Sequence, residues 1–308
     1  MKYYNNIKEL IGCTPLVKIN HFEIPNKVNL FAKLEYFNPG GSVKDRLGKK
    51  LIQTAIENGH LVEDGIVIEP TAGNTGIGLA LAAVGTKIKV ICVVPQKFSM
   101  EKQALIKALG ATVINTPTEE GMEGAIRKAK ELLQELPKSY SPQQFSNYNN
   151  PKTYFETLAP ELYESLDGKI DVFVAGAGTG GTFMGCAQYL KMKNLQIKTV
   201  IVQPEGSILN GGLSGPHRTE GIGLEFLPEY MDTSYFDQIH TILDEDAFKR
   251  VQELALLEGL LVGSSSGAAF EAAIREASIA RPGTNIVTVF PDSSERYLSK
   301  FIYEGENK

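Results

Sequence analysis

The feature that most limits what this chain can become is a regular alternation of short β-branched apolar runs with longer helical patterns. Such runs occupy residues 30–34, 66–69, 88–94, 112–115, 172–175, 199–203 and 286–290. Several are apolar throughout, as strands covered on both faces must be. Between them lie helical patterns over 45–57, 75–84, 100–109, 121–135, 154–166, 181–191, 244–258 and 266–280. Gly59, Gly110 and Gly259 stand just past three of these ends, where glycine suits a left-handed cap. The alternation predicts an α/β fold with open, mostly parallel sheets flanked by helices.

At 308 residues the chain is long enough for two domains. A Ser-, Gln-, Asn- and Pro-rich stretch at 141–151 is the best candidate boundary. A second irregular stretch, 205–228, carries several glycines and is expected to form a loop over a site. With 31 basic and 36 acidic side chains, the net charge is −5. No basic run interleaved with aromatics tracks a phosphate backbone, so nucleic acid is not the expected partner. No uncharged apolar run approaches the roughly 20 residues a bilayer span needs, so no membrane partner is expected. Cys13, Cys92 and Cys186 are odd in number and widely spaced, which suggests neither a disulfide framework nor a zinc site and points to a reducing, cytoplasmic compartment.

Four clusters carry the chemistry. In Asn38-Pro-Gly-Gly-Ser-Val-Lys-Asp-Arg46, a glycine turn leads directly into a helix with Lys44 at its start. A cation is unfavourable beside the positive end of a helix dipole. Either Lys44 turns into solvent or its amine is neutralised by chemistry such as a Schiff base, which needs a lowered pKa. In Pro70-Thr-Ala-Gly-Asn-Thr-Gly-Ile-Gly78, small polar residues follow a strand and open a helix, where amide N–H groups hold carboxylate or phosphate. The plain alternative is a strand-to-helix turn capped by Thr71 or Asn74.

The third cluster, Val174-Ala-Gly-Ala-Gly-Thr-Gly-Gly-Thr182, is a phosphate cradle between a strand and a helix. It also matches the dinucleotide fingerprint through Gly176, Gly178 and Gly181, which keeps an NAD-dependent oxidoreductase in competition. The fourth, Gly263-Ser-Ser-Ser-Gly267, matches a nucleophile elbow centred on Ser265. None of His21, His60, His217 and His240 follows Ser265 in the chain, which removes the hydrolase reading, and the four are too scattered for a metal motif.

Together SVKDR, PTAGNTG, GTGGT and GSSSGAA resemble the cysteine synthase and cystathionine β-synthase family of fold type II pyridoxal-phosphate enzymes, nearly end to end. The resemblance implies two α/β domains with pyridoxal 5′-phosphate in the cleft between them. It divides them as a smaller mobile domain at 46–150 carrying the substrate loop, and a larger one at 1–45 and 151–308 carrying the phosphate loop. It makes Lys44 the catalytic residue, holding the cofactor as an imine and moving the Cα proton. Asn74 would lie beside the ring hydroxyl, Gly178, Thr179, Gly180, Gly181 and Thr182 around the phosphate, and Ser265 at the pyridine nitrogen. Thr71, Ala72, Gly73, Thr75, Gln144 and Gly221 match substrate-binding positions.

The implied reaction is β-replacement on O-acetyl-L-serine, with acetate leaving through an aminoacrylate and a thiol adding. Cysteine synthases commonly carry Ser where this chain has Ala72 and Ile where it has Ser264. The segment Thr219-Glu-Gly-Ile-Gly-Leu-Glu-Phe226 is closer to enzymes that use homocysteine, whose ammonium Glu220 or Glu225 would meet. Homocysteine, giving cystathionine, is therefore favoured over sulfide, the alternative that gives cysteine. The resemblance covers a catalytic core alone, so neither haem nor adenosyl-ligand regulation is expected, and it implies a homodimer.

Overall fold

The computed structural model describes residues 3–71 and 73–304. Along the chain run β1 (Leu16–Lys18), β2 (Asn29–Leu34), α1 (Lys44–Glu57), β3 (Ile66–Pro70), α2 (Asn74–Ala83), β4 (Lys89–Pro95), α3 (Met100–Ala108), β5 (Thr112–Thr116), α4 (Gly121–Glu135) and β6 (Ser139–Tyr140). There follow α5 (Asn149–Glu156), α6 (Leu158–Ser165), β7 (Val172–Gly176), α7 (Gly181–Lys193), β8 (Lys198–Pro204), β9 (Gln238–Ile242), α8 (Asp244–Glu253), α9 (Ser264–Ile279) and β10 (Asn285–Phe290).

The elements divide into two units. One comprises the residues up to Ile11 with Asn38–Asn149, the other Gly12–Phe37 with Asn150 onward. Lys44 and the whole of α1 thus belong with the first unit, although the expected division falls at 45/46. The reason lies in α1 itself, which packs along α2 through glycines at the contact. A Cβ on Gly48 would lie 2.6 Å from the Leu79 amide nitrogen, and one on Gly78 2.8 Å from the Lys44 carbonyl carbon.

The first unit holds a four-stranded sheet ordered β5-β4-β3-β6, parallel throughout. Helix α4 covers one side of it. Its buried residues Ala125, Ala129 and Leu132 recur at helical spacing and pack with Ile68 of β3 and Val93 of β4. The second unit holds a six-stranded sheet ordered β1-β2-β10-β7-β8-β9, in which β1 alone is antiparallel. Strands β7 and β10 are buried along nearly their full length. Helix α9 lies against both, with Ala268, Phe270, Ala272, Ala273 and Ala277 buried in the same core as β2 and β8.

Seven expected strands are present; β1, β6 and β9 are additional. Each is a sheet edge, and edge strands need no continuous apolar run. The helix expected over 154–166 is two helices broken at Thr157, whose φ −125° and ψ −69° are non-helical. Pro160 has no N–H to give the Glu156 carbonyl, so a continuous helix would lose a bond there. The helix expected over 244–258 leaves α-geometry after Glu253 for a π-turn, Leu254–Glu258. Gly59, Gly110 and Gly259 take φ of +73°, +86° and +68°, as left-handed caps require.

Candidate active site

In the first unit, the turn before α1 is folded back on the helix. Gly41 has φ +76°, and the buried Asp45 carboxylate accepts the Gly40 N–H. That carboxylate, in the first turn, complements the helix dipole. Lys44 opens α1 half-buried, and burial lowers its amine from the ordinary 10.5 to about 8. The contact at Gly78 packs the interior of α2 against the Lys44 backbone at the start of α1.

Helix α2 begins where β3 ends, at the carboxyl edge of the parallel sheet. Open parallel sheets take ligands at this edge. Thr71 is buried and its N–H donates to the Val93 carbonyl at 3.1 Å; Gly73 is the N-cap, and no side chain caps the helix. The N-cap is thus Gly73 rather than Thr71 or Asn74, and the Thr71 hydroxyl accepts the Gly73 N–H at 3.5 Å. Asn74, half-buried, and Thr75, buried, are its first two residues. Ala72 lies outside the described residues. The Thr75 hydroxyl donates to Oε1 of buried Gln144 at 2.7 Å, so the structure brings Gln144 to the loop from 69 residues away.

In the second unit, the glycine loop after β7 leads into α7. Gly180 is its N-cap at φ +81°, again with no capping side chain. A Cβ on Gly178 would lie 3.2 Å from the Gly221 carbonyl carbon, one on Gly180 2.9 Å from Met231 Cε, and one on Gly181 within 2.5 Å of Asn150 Cγ. Only glycine lets the amides line the loop this closely. Thr179 is buried and held from outside: Asn150 Nδ2 donates to its Oγ1 at 3.0 Å, and the Tyr230 hydroxyl donates to its carbonyl at 2.8 Å. Asn150 Nδ2 also meets the Tyr230 hydroxyl at 3.0 Å. Burial raises the Tyr230 hydroxyl well above its usual pKa, keeping it a neutral donor.

The same unit gathers the remaining positions. Residues 205–232 contain no regular element, and Gly223 N–H donates to the Ala177 carbonyl at 2.8 Å. Gly221, at φ +87°, lies beside Ser265: a Cβ there would sit 3.7 Å from its Oγ. Ser265 is buried in the first turn of α9, and neighbouring Ser264 Oγ accepts the Glu220 N–H at 3.0 Å. Asp244 takes the Thr219 N–H and hydroxyl at 2.8 and 2.6 Å. The loop is thus anchored at both sides of Glu220.

A phosphate dianion fits the α7 cradle. The loop brings backbone N–H groups to the N-terminus of α7, the donors such an anion takes, with Thr179 and Thr182 beside them in sequence. The histidines are engaged structurally: His21 with Glu258 at 3.2 Å, His240 with Glu276 at 2.8 Å, His217 with the Thr219 carbonyl at 2.8 Å, and His60 against the Tyr140 ring. Among the described residues, no three His, Cys, Asp or Glu side chains come together as a metal would need.

Comparison with known proteins decides what this arrangement belongs to. Residues 7–292 match the family model for pyridoxal-phosphate dependent enzymes. The chain belongs to that family. It is 58% identical over 305 residues, 99% of each chain, to an O-acetylserine dependent cystathionine β-synthase of Bacillus subtilis. It is 52% identical to a cysteine synthase of Helicobacter pylori, covering 98% of this chain and all of the other. The crystal structure of the O-acetylserine dependent cystathionine β-synthase from Helicobacter pylori superposes with TM-score 0.95 at 51% identity, covering 99% of this chain. Membership sets aside the dinucleotide reading of Gly176, Gly178 and Gly181.

Asn150 and Tyr230, which hold Thr179, and Glu69, which holds the Gln143 and Gln144 amides, are residues that the sequence reading missed. Asn150 falls in the stretch taken as a boundary, and Tyr230 in irregular chain. Glu69 left one legible trace, a carboxylate inside the apolar run Ile-Val-Ile-Glu-Pro. It is buried beside Cys92, whose thiol burial and the Glu69 carboxylate push up to about 12. Glu69 accepts hydrogen bonds from Ser141, Gln143 and Gln144, and burial raises it to about 7 despite them.

Proposed function

We propose that this enzyme catalyses β-replacement on O-acetyl-L-serine, with homocysteine as the acceptor and cystathionine as the product. The activity rests on full-length likeness to an O-acetylserine dependent cystathionine β-synthase. The observation that favours homocysteine over sulfide is the bond from Glu220 N–H to Ser264 Oγ. An isoleucine at 264, common in cysteine synthases, has no acceptor for it. Glu220 is half-buried in the same unit as Ser265, whereas Glu225 is exposed, which favours Glu220 as the group that meets homocysteine's ammonium.

When bound, pyridoxal phosphate supplies the electron sink that makes the substrate Cα proton acidic enough to leave. Lys44 holds the cofactor, and its Nζ takes that proton. Gly178, Thr179, Gly180, Gly181 and Thr182 would hold the phosphate, Ser265 would offer the pyridine nitrogen a neutral hydroxyl, and Asn74 would lie beside the ring hydroxyl. Thr71, Ala72, Gly73, Thr75 and Gln144 bind the amino acid's carboxylate, with Gly221 in the loop that accepts the substrate. The Cβ–O bond breaks as acetate leaves with the electron pair. The thiolate sulfur then forms the Cβ–S bond, and Lys44 returns its proton to Cα. The unit carrying the Asn74 loop is the one we take to move on substrate binding, excluding water from the reaction. The working form is a homodimer, and the three free thiols fit a reducing cytoplasm, which cell fractionation would check.

Steady-state rates with homocysteine and with sulfide, on the parent and on Ser264→Ile and Glu220→Gln, test the acceptor. The expected result is a loss of about tenfold or more in kcat/KM for homocysteine in both variants, on the scale of one charge-assisted hydrogen bond, with sulfide turnover little changed. Equal losses with both thiols, or a parent that prefers sulfide, would reverse the acceptor assignment.

A further inference from the structure

Glu69 is the only acid in β3, and its side chain is spent on one loop. Oε1 accepts the Gln144 N–H at 3.1 Å, and Oε2 accepts the Gln143 N–H at 3.0 Å and the Ser141 hydroxyl at 3.2 Å. Glu69 is 1% exposed. Burying a carboxylate is costly, and three donors offset that cost.

The loop it holds also turns on itself, with the Ser146 and Asn147 N–H groups donating to the Gln143 carbonyl at 3.0 Å and Asn147 Nδ2 to the Pro142 carbonyl at 2.9 Å, and Glu69 ties that turn to the sheet. Strand β6 contributes two residues paired to β3, and no regular element follows until α5. Gln143 has φ +53°, a left-handed conformation that costs a non-glycine residue energy and persists only where its surroundings enforce it. The two backbone N–H groups that Glu69 accepts are those of Gln143 and its neighbour. Gln144 then passes the constraint on, because its Oε1 is engaged by the Thr75 hydroxyl at 2.7 Å. That contact turns the amide's NH₂ end, the end able to donate to a carboxylate, away from Thr75.

We propose that Glu69 is a positioning residue for the amino-acid substrate: by clamping the Gln143 and Gln144 amides it sets Gln144 in register with Thr75, whose hydroxyl holds the Gln144 Oε1, so that the Gln144 NH₂ meets the substrate's carboxylate. This rests on the reading of Gln144 and Thr75 given above. Glu69 itself touches no substrate. A glutamine in its place offers one acceptor oxygen instead of two, and an NH₂ facing N–H donors, so the clamp opens without a change of volume.

The test uses the holoenzyme with Glu69→Gln, Gln144→Ala and the double variant. Glu69→Gln is expected to raise KM for O-acetylserine about tenfold, the scale of one or two hydrogen bonds, with kcat and the thiol's KM within about twofold. In the double variant Glu69→Gln is expected to add nothing to Gln144→Ala, as coupled residues behave. Hydrogen exchange at the Gln143 and Gln144 amides is expected to quicken at least about tenfold in Glu69→Gln. An unchanged KM, full additivity with Gln144→Ala, or unchanged exchange would overturn the proposal. Ser141→Ala, which removes one bond of three, is the milder variant: a KM rise of about threefold supports the clamp, and none opposes it. The exchange arm needs no substrate, so a parent without turnover on O-acetylserine would refute the proposed function while exchange still decides the clamp.

Discussion

Lys44 stands where an ordinary lysine is at a disadvantage, in the first turn of a helix and shielded from water. Both effects act against the ammonium. Burial alone brings the amine down to about 8, so near neutral pH a useful fraction is unprotonated. Below that value the amine holds its proton and does not attack a carbonyl. Reductive methylation of Lys44 in protein stripped of cofactor, followed by peptide mass, should therefore rise with pH and reach half its limiting rate near pH 8. A midpoint close to the ordinary lysine value of 10.5 would contradict the burial argument. Lys44 was legible because its motif places a cation against a dipole. Glu69 was less so, since its role depends on a loop more than 70 residues away in sequence, whose approach is set by the pairing of β3 with β6.

Among the elements, α1 and α2 show how glycines carry information that periodicity does not. Alanine at Gly78, in the interior of α2, would on propensity alone stabilise a helix by about 1 kcal/mol. The backbone contact with Lys44 predicts the opposite sign. Gly78→Ala should destabilise the protein by about 1–3 kcal/mol through overpacking, read as a lower urea midpoint at unchanged slope. A midpoint that stays or rises would show that the helices have room to part. The interior strands could be read from the sequence because they are short apolar runs buried on both faces, and most helices because their apolar positions recur at helical spacing. Of the edge strands β5 was read, but β6 and β9 could not be: Ser139 and Tyr140 in β6, and Gln238, His240 and Thr241 in β9, form no apolar run. The break at Thr157 was open to reading from Pro160, four residues after the carbonyl it deprives.

For the whole molecule, the sequence holds two mostly parallel sheets, each with a small-residue loop that opens a helix at a glycine N-cap. One loop follows β3 and one follows β7, and each lies at the carboxyl edge of its own sheet. The chain crosses from the first unit to the second between Asn149 and Asn150, and Asn150 at once serves the β7 loop through Thr179. That double duty explains why a stretch that reads as a linker contains a site residue. The proposed homodimer predicts sedimentation at twice the mass of the chain, and a monomer at working concentration would remove it.

The central claim is that Lys44 and the 178–182 cradle hold pyridoxal phosphate for β-replacement. The most direct measurement is the absorption spectrum of the purified protein with the cofactor, before and after O-acetylserine and then homocysteine or sulfide. The account predicts a band near roughly 410 nm that shifts with O-acetylserine, returns on adding thiol, fastest with homocysteine, and is missing in Lys44→Ala. A protein that stays colourless with pyridoxal phosphate, or a Lys44→Ala variant that still turns over, would contradict it.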